Sequence, residues 1–369
     1  MIKVMQFIPG LTMGGAETLV KDYCLNFDKT KIDLVLLCSI KRGTPYEKTL
    51  EYAGIKVIYI DDYTTHIPNI LMKVLIHFTR YLKVRKIIKN EKPDVIHFHL
   101  GLGRLVKFSK TKCKLFYTVH NTPDFVWKNK KEERAIKWLI KYRNMQLIAL
   151  HEKMRCELNS RFHIDNTVVI NNGIDFDKFN ITENKESIRK SLQLPIDAVI
   201  LGHIGRFREE KNHDFLVEIF NEYKKLNPKA FLLLIGDGIL KNEIIKKLET
   251  YGLKDSYLLL SNRTDVPRLM KCMDYFLLPS KVEGLPVVLV EAQKTGLKCI
   301  VSKEAVPIDV QLSNYIIYKS ITESPKEWAN YILKKEFDQL KYYDIENWNM
   351  KNIIIKLQNL YSIMETDNC

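Results

Sequence analysis

Cysteine pairs are missing from this sequence. The seven cysteines stand at 24, 38, 113, 156, 272, 299 and 369, an odd number with no Cys-x-x-Cys among them. That pattern argues against a disulfide framework and against a zinc site, and it fits a reducing cytosol. Long apolar runs are missing too. No stretch approaches the roughly 18 residues a membrane-spanning helix requires. The N-terminal MIKVMQFIPG is apolar, yet it meets Pro9-Gly10 without the length or cleavage pattern of a secretory signal. The dinucleotide fingerprint G-x-G-x-x-G does not follow the first strand-like segment, so a Rossmann dehydrogenase loses support. No internal repeat or low-complexity tract is visible.

What the chain does have is ordinary globular material. Its 369 residues are 46% hydrophobic and 28% charged, enough for two cores and unlike a disordered or fibrous chain. Charge of one sign dominates: 58 basic minus 44 acidic residues leaves +14. The excess is concentrated. Residues 1–180 carry 31 basic and 18 acidic residues, residues 181–369 carry 27 and 26, and the window 71–143 alone carries 19 and 5. Within that window Val74-Leu75-Ile76-His77-Phe78 leads into Arg80, Lys83, Arg85, Lys86 and Lys89. A second run, Lys128 to Arg143, mixes cations with Ile136, Trp138, Leu139 and Ile140 beside Trp127. Either run alone reads as a solvated helix face. Two in one half point to an anionic partner, either a membrane surface or a polyanion.

Apolar strand-like runs alternate with helical patterns. Lys3–Ile8, Leu34–Leu37, Val57–Ile60, Asp94–His99, Leu115–His120, Leu147–Leu150 and Thr167–Ile170 form one series. Ala198–Ile204, Ala230–Ile235, Tyr257–Leu260, Tyr275–Pro279, Lys298–Val301 and Tyr315–Tyr318 form another, with helices at Asp214–Leu226, Lys241–Tyr251 and from Pro286. The expected class is α/β, with two doubly wound Rossmann-like domains. The joint is expected near 172–197, where Asn172-Gly173, the polar stretch Asn180–Lys190 and Pro195 interrupt the pattern. Ligands of such sheets bind beyond the carboxyl ends of the strands, which would place a cleft between the domains.

Three segments carry chemistry. Gly14-Gly15-Ala16-Glu17 falls between a strand and a helix, where glycines let a ligand approach the backbone and free N–H groups favour an anion. Alone it is an ordinary βα turn. The segment Gly202–His213 places Arg206 and Lys211 five residues apart after a strand, as a pyrophosphate would require, although two cations in a lysine-rich chain are weak evidence. Pro279–Ala292 reads strand, turn, helix, with Pro286 suited to the first turn. Glu283 precedes that helix. Glu291 interrupts its apolar run, where an acid needs a partner such as a ribose diol; a capping carboxylate and a structural ion pair is the plainer reading. His97-Phe98-His99 puts two imidazoles on one strand face. With no acidic or cysteine partner nearby, a structural role is favoured over metal binding.

In this order the segments resemble the retaining nucleotide-sugar glycosyltransferases of family 4, which have the GT-B fold, over nearly the whole chain. Asn172-Gly173-Ile174-Asp175, Leu234-Ile235-Gly236-Asp237-Gly238, Asn262-Arg263-Thr264-Asp265-Val266 and the Glu283…Glu291 pair, the family's E-x7-E element, carry the likeness. Bacterial capsular and exopolysaccharide enzymes look most similar. The resemblance implies an N-terminal acceptor domain over 1–175, a donor domain over 176–352, and a terminal helix within 353–369 that packs back on the first domain. Arg206 and Lys211 would hold the donor diphosphate, with Gly284 and Leu285 offering amides. Glu283 would contact the donor sugar and Glu291 the ribose. Backbone at Asn262 and Arg263 would meet the base, uridine by resemblance. Gly14 and Gly15 would approach the diphosphate, His120 the transferred sugar, and Glu17 the acceptor side. Lys298 and Lys303 stand where the family more often has Pro and Asp, at the end of the donor site. The implied reaction is hexosyl transfer from a nucleotide-sugar, UDP-linked by resemblance, to a saccharide acceptor, lipid-linked if the basic window docks on a membrane. No metal or other cofactor and no nucleic acid is implied, and the place is the cytoplasm, peripheral to the inner face of the cell membrane. Two alternatives stay open: a nucleotide-sugar epimerase on the same fold, and a non-catalytic paralogue that binds polyanions or membranes.

Overall fold

The parallel strands form because their apolar residues run continuously rather than alternately, which suits sheets covered on both faces. A computed structural model of the chain describes residues 1–61, 70–107, 109, 111–128, 130–334, 336–343 and 345–362, the side chains of 70–74 excepted. The chain divides into two compact units, residues 1–173 with 350–369 and residues 174–349.

In the first unit the elements are β1 (Ile2–Ile8), α1 (Gly15–Asn26), β2 (Ile32–Ile40), α2 (Pro45–Tyr52), β3 (Lys56–Asp61), α3 (Ile70–Glu91), β4 (Val95–His99), β5 (Lys114–Thr118), α4 (Pro123–Val126), α5 (Lys130–Arg143), β6 (Gln146–Ala149), α6 (Glu152–Phe162) and β7 (Val168–Val169). They make a seven-stranded parallel sheet in the order β3-β2-β1-β4-β5-β6-β7. The second unit holds α7 (Lys185–Ser191), β8 (Ile200–Ile204), α8 (His213–Leu226), β9 (Phe231–Ile235), α9 (Lys241–Thr250), β10 (Tyr257–Leu260), α10 (Val266–Lys271), β11 (Tyr275–Leu278), α11 (Val287–Lys294), β12 (Lys298–Ser302), β13 (Ile316–Lys319) and α12 (Pro325–Lys334). Its six-stranded sheet runs β10-β9-β8-β11-β12-β13.

The last helix, α13 (Met350–Ser362), belongs to the first unit. Met350, Ile353, Ile354, Leu357 and Tyr361 repeat at helical spacing and bury one stripe against Val4, Leu19, Tyr23, Phe27, Val95 and Phe116. Gly173 is needed beneath it, because a Cβ there would lie 2.8 Å from Ile353. The helix expected from Ile353 thus starts three residues earlier; its expected end at Met364 lies outside the described residues.

Part of the polar stretch 180–190 is ordered helix rather than a break in the pattern. Asn184 accepts from the Ser187 amide at 2.8 Å and starts α7. Arg189, buried on that helix, donates to the carbonyls of Ile196, Ala198 and Cys272 and pairs with Asp274 at 2.7 Å. Asp274 also accepts from the Ile200 amide, so α7 is fastened across the starts of β8 and β11.

Candidate active site

Each sheet has one place where neighbouring strands send their following segments to opposite faces: between β1 and β4 in the first unit, and between β8 and β11 in the second. Such a switch point leaves a crevice at the carboxyl ends of the strands. Gly14, Gly15 and Glu17 follow β1, and Arg206, Lys211, Glu283, Gly284 and Leu285 follow β8 and β11, at these two places; His120 follows the neighbouring β5, and Asn262 and Arg263 follow β10 at the sheet edge.

In the first unit, Gly14 caps α1 and Gly15 opens it. A Cβ built on Gly15 meets nothing within 4 Å. No protein neighbour requires a glycine there, which leaves the helix start open to a ligand. Glu17 is buried and accepts a hydrogen bond from the Thr12 hydroxyl in the turn after β1. His120 lies two residues beyond β5, half-buried, with Nε2 2.8 Å from His99 Nδ1. His97 and His99 share one face of β4, their ring centroids 4.2 Å apart. Neither ring is held by a carboxylate. His97 bonds Tyr361 Oη at 2.6 Å and Thr118 Oγ1 at 2.7 Å, while His99 bonds Gln6 Oε1 at 2.7 Å. Burial pushes His97 down to about 3 and His120 to about 4, and it holds His99 well below the usual imidazole range. All three rings are therefore neutral near pH 7.

In the second unit, Lys211 Nζ pairs with Glu283 Oε1 at 2.7 Å, and Ser280 Oγ donates to the same oxygen at 2.6 Å. The segments after β8 and β11 are stitched together here: Asn212 Nδ2 donates to the Pro279 carbonyl at 3.0 Å and the Lys281 amide to the Glu210 carbonyl at 2.8 Å. Behind the cations, Phe207 stacks on His213 at 4.3 Å, and His203 Nδ1 donates to the Leu277 carbonyl at 2.8 Å. Burial lowers His203 to about 4, with the Lys211 charge adding to the effect, so this platform is uncharged. Arg206 lies on the same loop, one residue before buried Phe207.

Gly284 and Leu285 are buried in the turn leading to Pro286, the cap of α11. Glu291 stands in the second turn of α11, half-buried, flanked by buried Leu289, Val290 and Ala292. After β10, Asn262 takes φ +55, and Arg263 forks onto Asp265 at 2.7 and 2.5 Å. The Arg263 side chain is thus engaged by Asp265.

The two halves of the chain match two protein-family descriptions. Residues 13–178 match "Glycosyltransferase Family 4" and residues 184–347 match "Glycosyl transferases group 1". The chain is a family 4 glycosyltransferase. Among its relatives, the Bacillus subtilis protein EpsF, named as a glycosyltransferase, is 29% identical over 90% of this chain and 87% of its own length. The Staphylococcus aureus capsular polysaccharide glycosyltransferase CapH is 26% identical over 98% of both chains. An Escherichia coli UDP-Gal:α-D-GlcNAc-diphosphoundecaprenol α-1,3-galactosyltransferase is 32% identical over 60% of each. The crystal structure of Anabaena HepE in complex with UDP and glucose shares the GT-B fold, with a TM-score of 0.79 at 17% identity over 99% of this chain and 100% of that one.

Two sequence expectations about this glycosyltransferase change. Lys298 is not at the end of the donor site. It opens β12, at the amino end of the sheet, with Nζ 5.6 Å from the Tyr275 ring and 5.2 Å from Phe337. The basic run 128–143 does not present its apolar face: Trp127, Ile136 and Leu139 are fully buried in the first unit. An Asp-x-Asp spacing exists at Asp175-Phe176-Asp177. It sits in a 3₁₀ turn where Asp175 accepts from the Asp177 amide at 3.2 Å and pairs with Lys178. Sequence reasoning also missed the links to His120: Gln6, Tyr361 and Thr118 are scattered along the chain, and the strand register together with the packing of α13 joins them.

Proposed function

We propose that this glycosyltransferase retains anomeric configuration and moves a sugar from a UDP-sugar to a lipid-linked saccharide acceptor in bacterial capsule or exopolysaccharide biosynthesis. The observation that carries the reading is the Lys211–Glu283 pair held at the β8/β11 switch point, with Glu291 on the helix that follows. Departure of a nucleoside diphosphate develops negative charge, and Lys211 and Arg206 are placed to neutralise it together with the amides before α11. Lys211 would exchange its carboxylate partner for phosphate oxygens, and Glu283 would be released to accept from the sugar hydroxyls. Glu291 suits a ribose diol, which supplies two donors to one carboxylate. No residue is assigned as a covalent nucleophile. The names of the relatives support the pathway, the E. coli enzyme's name supports a diphosphate-linked lipid acceptor, and HepE supports UDP. The test is a transfer reaction with an α-linked UDP-sugar followed by proton NMR. An α-anomeric product is expected; a β product, or no transfer with any UDP-sugar, contradicts the reading.

The acceptor's carrier bears on the basic window. On α3, Leu75, Phe78 and Leu82 are 56%, 56% and 45% exposed and share one face at i, i+3, i+7. Exposed Arg85, Lys86 and Lys89 continue along the helix, while Arg80 and Lys83 are paired with Asp61. Apolar anchors beside cations suit an anionic bilayer, each cation contributing about 1 kcal/mol near the surface. We expect the full chain to sediment with vesicles containing phosphatidylglycerol at low salt, and the Phe78→Ser/Lys86→Glu variant to bind at least tenfold more weakly. Equal binding to zwitterionic vesicles, or none to either, contradicts this part of the reading. Among the described residues no helix is long and apolar enough to cross a membrane.

A further inference from the structure

We propose that Tyr361, on the C-terminal helix, is a positioning residue for His120: acting through Gln6 and His99, its hydroxyl holds the imidazole with the proton on Nε2 and the lone pair on Nδ1. The proposal rests on the transferase reading above for what meets that lone pair, a hydroxyl of the transferred sugar.

The chain of donors leaves little freedom. Gln6 Nε2 donates to Tyr361 Oη at 3.1 Å. Tyr361 Oη also lies 2.6 Å from His97 Nδ1, and His97 Nε2 lies 2.7 Å from Thr118 Oγ1. The other atom of the Gln6 amide, Oε1, accepts from His99 Nε2 at 2.7 Å. His99, also neutral, is therefore bare at Nδ1 and accepts from His120 Nε2 at 2.8 Å. One proton on one neutral ring leaves His120 Nδ1 as an acceptor. That atom is buried and has no hydrogen-bond partner. A network built only for stability would close its last member, whereas this one ends on an open lone pair just past the strand end.

The position of Tyr361 is also informative. The rest of its stripe on α13 is apolar, and its ring packs against Phe27 and Phe116 at centroid distances of 6.0 and 5.5 Å. The ring satisfies that packing without a hydroxyl. The hydroxyl is the partner of the Gln6 amide: it accepts from Nε2 while Oε1 faces His99. The terminal helix thus sets a proton position at the other end of a four-residue chain, Tyr361, Gln6, His99 and His120.

The test uses the full chain labelled with ¹⁵N-histidine. The ring nitrogen shifts of wild-type His120 should show an unprotonated Nδ1 and a protonated Nε2. Tyr361→Phe keeps the ring and removes the hydroxyl; it should give mixed His120 tautomers and lower kcat about tenfold, the value of one hydrogen bond. KM for the donor should change less than twofold and UDP binding should not change. A proton on Nδ1 in the wild type, or Tyr361→Phe with unchanged tautomer and kcat, overturns the proposal. If Tyr361→Phe fails to fold, the wild-type spectrum and Gln6→Leu decide it by the same criteria. Wild-type protein that ignores UDP strikes the transferase reading alone, since the tautomer is read without ligand.

Discussion

Lys211→Ala is expected to lower kcat by about 10²–10³, the typical cost of removing one preorganised donor from a site where charge develops. The ammonium lies on the loop after β8 and reaches Glu283 at 2.7 Å, so it is held before any ligand arrives. Its side chain is 20% exposed and that of Glu283 8%. Losing the pair should therefore cost about 1–2 kcal/mol of stability, between the values for exposed and fully buried pairs, with Ser280 still bonded to Glu283. Steady-state kinetics and a thermal scan on one sample separate the two effects. A variant that unfolds early yet keeps its kcat would mean that Lys211 is a structural cation. Arg206 stays in place in this variant, which is why residual activity is expected.

The second large effect is on folding. Gly236→Ala should destabilise the second unit by about 3–5 kcal/mol, the range of severe backbone clashes. Gly236 has φ +154, and a Cβ on it would lie 2.0 Å from the Gly205 carbonyl oxygen and 2.9 Å from its carbon. Both obstacles are main chain, so neither can rotate away. The close approach exists because the segments after β8 and β9 bond each other: Gly205 N to Ile235 O at 3.0 Å and Phe207 N to Asp237 O at 2.9 Å. Pushing them apart moves the loop that carries Arg206 and Lys211. Gly15→Ala is the contrasting case, since the space around it is empty of protein. It should keep the melting temperature within a degree or two while reducing turnover, because only a ligand would feel the methyl. Circular dichroism melts of both variants decide this. Equal melting temperatures for wild type and Gly236→Ala would contradict the packing described for the two loops.

The sequence is legible where function and structure are local. β1, β9 and β12 announce themselves as apolar runs, and the Glu283…Glu291 spacing spans one turn and one helix. Lys211 and Glu283 are 72 residues apart, yet each follows a readable strand, so the topology alone joins them. Other features could not be read that way. Gln6 and Tyr361 are separated by 355 residues, and it takes both the packing of α13 and the register pairing Gln6 with His97 and His99 with Thr118 to bring their groups into one chain. Arg189 reads as one more cation in a polar stretch; its role depends on three carbonyls from two other segments. Lys298 occupies the amino end of its strand, which a matching family position alone does not show. The apolar face of α5 was misread because periodicity shows that a helix has a face and is silent on what covers it.

The most direct measurement is thermal unfolding of the full chain with UDP and a panel of UDP-sugars, repeated on Glu291→Ala. A ligand at 100 times its Kd adds about 2.7 kcal/mol to stability. The account expects UDP-sugars to raise the melting temperature of the wild type and Glu291→Ala to lose that rise while melting normally without ligand. No rise with any nucleotide, or an undiminished rise in Glu291→Ala, would contradict a donor site at the β8/β11 switch point.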